Sequence, residues 1–209
     1  GAGHVGHSLG RMALEAGFRV HVVDDREKFA NTERFGPGVD VHVGDIPGWL
    51  ATNTLPPTAY AVIVTRGHRH DLDALRALVG RPLRYVGLIG SRAKVARIYD
   101  ALVAEGMPLE RLLCVHAPIG LDIGSVSPAE IAVSVLGEII AALRKRMVAL
   151  AGEIAEGVVF ANASLSHMGQ SLAALPAGKR SAADFFIGNM IPTCISDDVE
   201  AAKAMNRRT

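Results

Sequence analysis

The sequence predicts an α/β protein: a Rossmann-like, doubly wound parallel sheet with helices on both faces, followed by a C-terminal α/β appendage. Short apolar runs, typical of buried strands, alternate with segments of helical periodicity over the first 144 residues. Glycine-rich turns separate several of these runs from the helices that follow, and beyond Arg144 the alternation stops. Because strand–helix–strand connections are right-handed, the doubly wound sheet is the leading topology.

Each predicted element follows from its local pattern. Apolar runs predict strands over residues 18–23, 39–43, 59–65, 84–89 and 112–116, the second of them weak. Helical periodicity predicts one helix that ends at Gly17 and others over residues 71–79, 91–105 and 127–144. Ser127 and Glu130 have the spacing of a capping box. Prolines and glycines otherwise predict a loop over residues 27–49, and Cys114 is expected to pack inside a strand.

Composition excludes several classes of partner and site. The formal net charge of +1 gives no electrostatic reason to expect nucleic acid or an anionic membrane as a partner. No apolar run is long enough to span a bilayer, and there is no export signal, so we expect a cytoplasmic protein. The two cysteines, Cys114 and Cys194, provide neither a disulfide framework nor a metal site.

The motif GAGHVG, in which Gly1, Gly3 and Gly6 fit G-x-G-x-x-G, predicts a phosphate-binding turn. Such a turn lets the backbone approach a phosphate at the N-terminus of the following helix. The next strand ends at Asp24, where an acid that binds a ribose 2′-hydroxyl belongs, whereas Arg26 would accommodate a 2′-phosphate. NAD and NADP therefore both stay open. The first strand, which normally precedes this turn, is missing, and a structural turn without a ligand is the alternative.

Three further turns follow predicted strands, where ligands collect in open α/β sheets. The first, TRGHRHD, ends at Asp71 and fits an anion site; its alternatives are a solvated loop with Asp71 as helix cap and a weakly supported metal site. In the second, GLIGSR, Gly90 would let the backbone approach a ligand, Ser91 would cap the helix and Arg92 would reach an anion. The third, PIGLDIG, is too apolar and glycine-rich for a generic linker. No spacing indicates a nucleophile or another catalytic residue.

The motifs GAGHVG, VVDDREKFAN, TRGHRHD, GLIGSRAK and PIGLDIGSVSPAEIAVSVLGEIIA, in this order, resemble the C-terminal domain of the XdhC/CoxI family over residues 1–144. The resemblance implies a xanthine dehydrogenase accessory protein, a maturation factor or chaperone that binds the molybdenum cofactor as cargo. It would pass this cofactor to the apo-enzyme of a molybdenum hydroxylase of the xanthine or carbon monoxide dehydrogenase type. The implied cofactor-binding residues come from every turn: Gly1, Gly3, His4, Gly6, Asp24, Arg26, Thr65, Gly67, His68, Gly90, Ser91, Arg92, Gly120, Asp122 and Gly124.

Residues 145–209 resemble a late strand–helix portion of luciferase-like, flavin- or deazaflavin-dependent oxidoreductases, which are TIM barrels. These 65 residues cannot close a barrel or enclose a flavin, so we expect an appendage without catalysis. A capping element that forms a homodimer is the alternative. Two enzyme functions stay open beside the accessory function: an NAD(P)-dependent oxidoreductase that uses the first turn and Asp24, and, from the tail alone, a flavin-dependent monooxygenase.

Overall fold

A computed structural model of the chain describes residues 1–161, 165–176 and 178–190. The chain forms two units, Gly1–Ile139 and Ile140–Thr209. Helices and parallel strands are found in both units, which confirms the predicted α/β class. The described ranges contain no closed barrel.

The helices and strands are named here in chain order. The described strands are β1 (Val20–Asp24), β2 (Val39–Val43), β3 (Tyr60–Ile63), β4 (Tyr85–Leu88), β5 (Gly157–Ala161) and β6 (Phe186–Met190). The described α-helices are α1 (His4–Glu15), α2 (Thr32–Phe35), α3 (Ile46–Thr52), α4 (His68–Leu78), α5 (Arg92–Ala104), α6 (Leu109–Leu112), α7 (Pro128–Ile154) and α8 (Leu165–Leu172). Over the described residues, no helix combines the length and the apolar character needed to cross a membrane.

The strands of the first unit pair in parallel. β1 lies beside β2, with Val20 opposite Val39, and β3 lies beside β4, with Tyr60 opposite Tyr85. Beyond β4, one isolated parallel bridge joins Gly87 to His116. Within each pair the carboxyl ends of the strands lie at the same edge, and the predicted glycine turns follow β3 and β4 at that edge.

A core of large aliphatic side chains surrounds β3 and β4. On α5, the buried residues Val95, Ile98 and Leu102 are three and four positions apart, so they lie on one face of the helix. They pack with the buried Leu75 of α4 and Leu88 of β4. Burial of this apolar face is the main contribution that holds α5 against the sheet.

Four described helices of the first unit begin at side-chain caps, α2 at Asn31, α3 at Asp45, and α5 and α7 at serines. The Ser91 hydroxyl accepts a hydrogen bond from the Lys94 N–H at 3.2 Å at the start of α5. At the start of α7, the Ser127 hydroxyl accepts from the Glu130 N–H at 3.3 Å, and the Glu130 carboxylate accepts from the Ser127 N–H at 2.9 Å. This reciprocal pair confirms the predicted capping box. Its hydrogen bonds from the backbone N–H groups of Ser127 and Val126 hold the pKa of Glu130 below its ordinary value.

The prediction of a strand over residues 112–116 is wrong. Leu109–Leu112 form α6, which follows Pro108, and the run after it pairs with β4 through the isolated bridge between Gly87 and His116. Such a short apolar run does not distinguish a strand from a helical turn. Cys114 is exposed, and its thiol donates to the Glu110 carbonyl at 3.4 Å, so its predicted packing inside a strand is also wrong.

Three other predicted boundaries differ from the structure. The predicted loop over residues 27–49 contains α2 and the start of α3, which Asp45 caps by accepting from the Gly48 N–H at 2.7 Å. The loop prediction includes α3 because this helix contains a proline and a glycine, the two residues with the lowest helix propensity. α4 begins at His68, earlier than predicted. α7 continues past Arg144 to its end, because no glycine or proline interrupts residues 145–151.

The second unit contains a parallel strand–helix–strand arrangement. β5 pairs with β6, with Gly157 opposite Phe186, and α8 lies between these strands in sequence. A Cβ on Gly157 would collide with the Phe186 carbonyl, which explains glycine at this position. The arrangement agrees with the predicted α/β appendage. Cys194 lies outside the described residues.

We expect Leu102→Ala to lower the free energy of unfolding by about 2–5 kcal/mol, because the substitution leaves a cavity in a closely packed core. Leu102 is 0% exposed, whereas Leu113 is 69% exposed. Leu113→Ala is therefore the matched control and should change the free energy by less than about 0.5 kcal/mol. Urea denaturation followed by circular dichroism measures both, and equal losses for the two variants would contradict the described core.

Candidate functional site

The first turn, residues 1–6, requires glycine at two positions. A Cβ on Gly6 would collide with the Gly1 carbonyl, and a Cβ on Gly1 would collide with the carbonyl of Val64, which follows β3. Gly3 is the N-cap of α1, has no side-chain cap bond, and has nothing within 4 Å of where a Cβ would stand. The space beside Gly3 at the N-terminus of α1 is therefore open, which is compatible with a backbone anion site.

Asp24 ties the first turn to β1. Its buried carboxylate accepts a hydrogen bond from the Ala2 N–H at 2.7 Å and another from the Arg26 N–H at 3.1 Å. The Arg26 guanidinium donates to both carboxylate oxygens, through Nε at 2.8 Å and Nη2 at 2.9 Å. Burial opposes ionisation, but Arg26 and the two backbone N–H groups outweigh it and hold the pKa of Asp24 well below its usual range.

This pairing bears on the predicted ligand contacts of Asp24 and Arg26. Both carboxylate oxygens already accept protein hydrogen bonds, so a ribose hydroxyl would have to share them or displace Arg26. The Arg26 guanidinium also lies 4.1 Å from the centroid of the Phe29 ring, which fixes its position further. The ribose contact of Asp24 and the 2′-phosphate contact of Arg26 stay predictions. The geometry itself gives these side chains a role in holding the turn.

The second of the four turns along the chain, residues 65–71, contains a buried ion pair that no sequence motif indicates. Asp71 is 0% exposed; it accepts from the Thr65 hydroxyl at 2.5 Å and pairs with the ammonium of Lys94 on α5. Asp71 does not cap α4, because Gly67 is the N-cap and has no side-chain cap bond, so that alternative is wrong. The Lys94 stem passes over Gly90, where a Cβ would stand 2.9 Å from Lys94 Cδ.

The outer parts of the second and third turns are exposed. They present two guanidinium groups, of Arg66 and Arg92, together with the exposed Gly67 and His68. Gly67 has a φ of 90°, a left-handed conformation that favours glycine. Ser91 is exposed too, although its hydroxyl caps α5. These groups, and the exposed His4 at the start of α1, are accessible to a ligand.

The fourth turn along the chain, residues 118–124, is held by Glu138 on α7. The Glu138 carboxylate accepts from the Gly120 N–H at 2.5 Å and from the Tyr85 hydroxyl at 2.9 Å, and it lies 2.6 Å from Nδ1 of His116. Burial raises the pKa of Tyr85 above its ordinary value, and the negative charge of Glu138 adds to this effect. Gly120 has a φ of 105°, and a Cβ there would collide with the Ser134 hydroxyl.

Contacts connect all four turns. In the first turn, the Ala2 N–H donates to Asp24, and Gly1 lies against the residues that follow β3. Asp71 binds both Thr65 and Lys94, and this shared contact joins the second turn to the third. The fourth turn contacts the end of β4, where the Ile119 N–H donates to the Leu88 carbonyl at 3.0 Å. Its other predicted ligand residues, Asp122 and Gly124, are exposed.

The connecting ion pair carries no local sequence signal. Asp71 and Lys94 lie on different helices, and only the parallel pairing of β3 with β4 brings their helices together. The position of Asp71 just after a strand could have suggested a site residue. Where the structure describes the side chains, no group of three or more His, Cys, Asp or Glu residues is placed to hold a metal ion.

We expect Arg26→Gln to lower the free energy of unfolding by about 2 kcal/mol at pH 7, because it leaves the buried Asp24 carboxylate without its cation. Arg19, which is 83% exposed beside Asp40, supplies the control: Arg19→Gln should change the free energy by less than about 0.5 kcal/mol. Because the folded-state pKa of Asp24 is lowered, its contribution is present above the unfolded pKa of about 3.9 and is lost as the pH falls below it. Denaturation from pH 7 to pH 3 should therefore show a shallower loss of stability in Arg26→Gln than in the original chain; parallel pH profiles would contradict this assignment.

Known proteins resemble this chain over about two thirds of its length. A family model described as the XdhC Rossmann domain matches residues 1–139. The chain is 33% identical over 141 residues to the uncharacterized protein YqeB of Escherichia coli K12, covering 67% of this chain and 26% of that protein. It is also 33% identical over 148 residues to a probable xanthine dehydrogenase subunit of Bacillus subtilis 168, covering 70% of this chain and 42% of that protein.

A solved structure shares the fold. The crystal structure of a xanthine dehydrogenase from Bacillus halodurans matches with a TM-score of 0.62 and 27% identity, covering 70% of this chain and 41% of that one. The chain thus spans less than half the length of each of these three proteins. The family match includes all four glycine turns. The chain belongs to the XdhC family, whose Rossmann domain it contains over residues 1–139.

Proposed function

We propose that the first unit binds a phosphorylated small molecule at the carboxyl ends of β1, β3 and β4. The observation that carries this proposal is that Asp24 holds the first glycine turn, Gly1 of this turn lies against Val64 after β3, and Asp71 joins the next two turns. α1 begins at Gly3 without a side-chain cap, and the space around the Cβ position of Gly3 is open. A phosphate group bound there would gain hydrogen bonds and the favourable potential of the helix N-terminus.

We further propose that the ligand is the molybdenum cofactor, carried as cargo. The cofactor is a phosphorylated pterin, and the donor set suits its phosphate: open backbone at Gly3, the partly exposed Lys94, and the exposed guanidinium groups of Arg66 and Arg92. The remaining predicted ligand residues, among them His4, Gly67 and His68, would contact the rest of the molecule. When bound, the cofactor would supply the molybdenum chemistry of the client enzyme, while this chain binds and shields it.

The proposed client is the apo-enzyme of a molybdenum hydroxylase. The family and two of its relatives are associated with xanthine dehydrogenase, which supports a client of this class. The role is maturation rather than turnover, because neither Asp24 nor Asp71 is free for proton transfer: each is paired with a cation inside the protein. An NAD(P)-dependent oxidoreductase is the competing function, favoured by the position of Asp24 after β1.

We expect Gly3→Ala to weaken binding of the molybdenum cofactor about tenfold, because its methyl group fills the space that the phosphate would occupy. The fold should tolerate the change, since nothing lies within 4 Å of that methyl position, and loss of the glycine cap should cost less than about 1 kcal/mol. Gly169 on α8 also has free space around its Cβ position, so Gly169→Ala is the matched control and should leave binding unchanged.

Binding is measured by fluorescence titration of each purified variant with cofactor released from a molybdenum hydroxylase, and in parallel with NADH and NADPH. Unfolding free energies measured alongside separate loss of the site from loss of the fold. Tight binding and turnover of a dinucleotide without pterin binding would overturn the accessory function. Equal weakening by the two glycine variants would overturn the placement of the phosphate at Gly3.

A further inference from the structure

The part of α7 that belongs to the second unit is packed on one face. Val148 and Gly152, four positions apart on this helix, are both buried. A Cβ on Gly152 would stand 2.5 Å from Cδ of Pro176, so the helix backbone and this proline are in close contact. A helix with one packed face is expected to present polar residues on the opposite face.

The opposite face of this part of α7 is apolar instead. Met147, Leu150 and Ile154 are 63%, 50% and 76% exposed. Their spacing of three and four positions places them on one side of the helix, and we call these three residues the α7 stripe. The sequence continues the same heptad spacing one step back, at Leu143. Large apolar side chains exposed on successive turns of one helix face indicate an interaction surface.

Two opposite charges flank the α7 stripe on the same side. Arg146 comes just before Met147, Glu153 comes just before Ile154, and both charged residues are exposed. Residues seven positions apart lie nearly one above the other on a helix. A cation therefore marks the N-terminal end of this flank and an acid marks its C-terminal end.

This pattern is complementary to itself when two copies of the helix lie antiparallel. The two-fold symmetry of such a pair brings Arg146 of each copy beside the partner's Glu153, so that the same ion pair forms twice. In the same heptad register, Met147 is level with the partner's Leu150, and Ile154 is level with the partner's Leu143. A parallel pair would instead bring Arg146 of both copies to the same level.

We propose that the α7 stripe binds a second copy of this chain, with the two α7 helices antiparallel and two Arg146–Glu153 ion pairs at the edge of the interface. A second copy is the occupant because the charges on the flank complement one another under two-fold symmetry. Few side chains of each copy take part, so we expect a reversible dimer with a dissociation constant of about 1–100 µM. This inference does not depend on which ligand the first unit binds.

The test reverses charges in the whole chain and follows dimerisation by sedimentation velocity at protein concentrations of about 1–500 µM. Arg146→Glu and Glu153→Arg should each weaken dimerisation about tenfold, because each turns two attractions into two repulsions. An equimolar mixture of these two variants should dimerise within about threefold of the original chain, because a mixed pair regains both attractions. Arg180 is exposed and lies outside α7, so Arg180→Glu is the matched charge control and should leave dimerisation unchanged.

A second variant tests the apolar part of the interface. Leu150→Asn should leave no dimer at about 100 µM, while the helical content measured by circular dichroism stays the same, because half of this side chain is exposed within one copy. A monomer of the original chain at every concentration overturns the proposal, and so does a dimer that Leu150→Asn leaves intact. Failure of the mixed charge variants to recover dimerisation overturns the antiparallel arrangement.

Discussion

The buried carboxylate of Asp24 is the constraint on which the first turn depends. The turn needs a backbone conformation that brings Gly1, Gly6 and the residues after β3 into close contact, and Asp24 holds it there by binding the Ala2 N–H. A buried carboxylate left alone would take up a proton, so Arg26 is needed to keep it charged. The position of the helix N-terminus at Gly3 thus follows from a charge pair located at the end of β1.

Asp71, after the end of β3, has the same kind of environment as Asp24. It too is buried, accepts from a group of its own turn and is paired with a cation, here Lys94 from the following helix. Buried ion pairs carry a desolvation cost that their attraction only partly offsets, so two of them at one edge are a poor device for stability alone. They are better suited to fixing neighbouring turns in one arrangement, which is what a site for a phosphorylated ligand requires.

Much of this fold is predictable from local pattern, because its strands are short apolar runs and its main helices have caps or a clear apolar face. Ser127 and Glu130 illustrate this, as do Val95, Ile98 and Leu102 on α5. Local pattern failed where a few residues decide the structure. The apolar run over residues 112–116 predicts a strand, but Pro108 begins the helix α6, which includes Leu112. The residues after α6 leave Cys114 exposed. Glycine at Gly1, Gly6 and Gly120 is required by close backbone or side-chain neighbours, which a turn motif can indicate from sequence. The pairing of Asp71 with Lys94 depends on how two helices pack, and no local pattern predicts it.

The environment of Glu138 has a consequence for the fourth turn. One carboxylate on α7 is shared by a strand residue, Tyr85, by His116 and by the backbone of Gly120. The location of that loop is accordingly dictated by a helix that begins after it in the chain, rather than by its own glycines. A shift of α7 along its axis would therefore either carry the loop with it or break the contacts of Glu138 with Tyr85, His116 and Gly120.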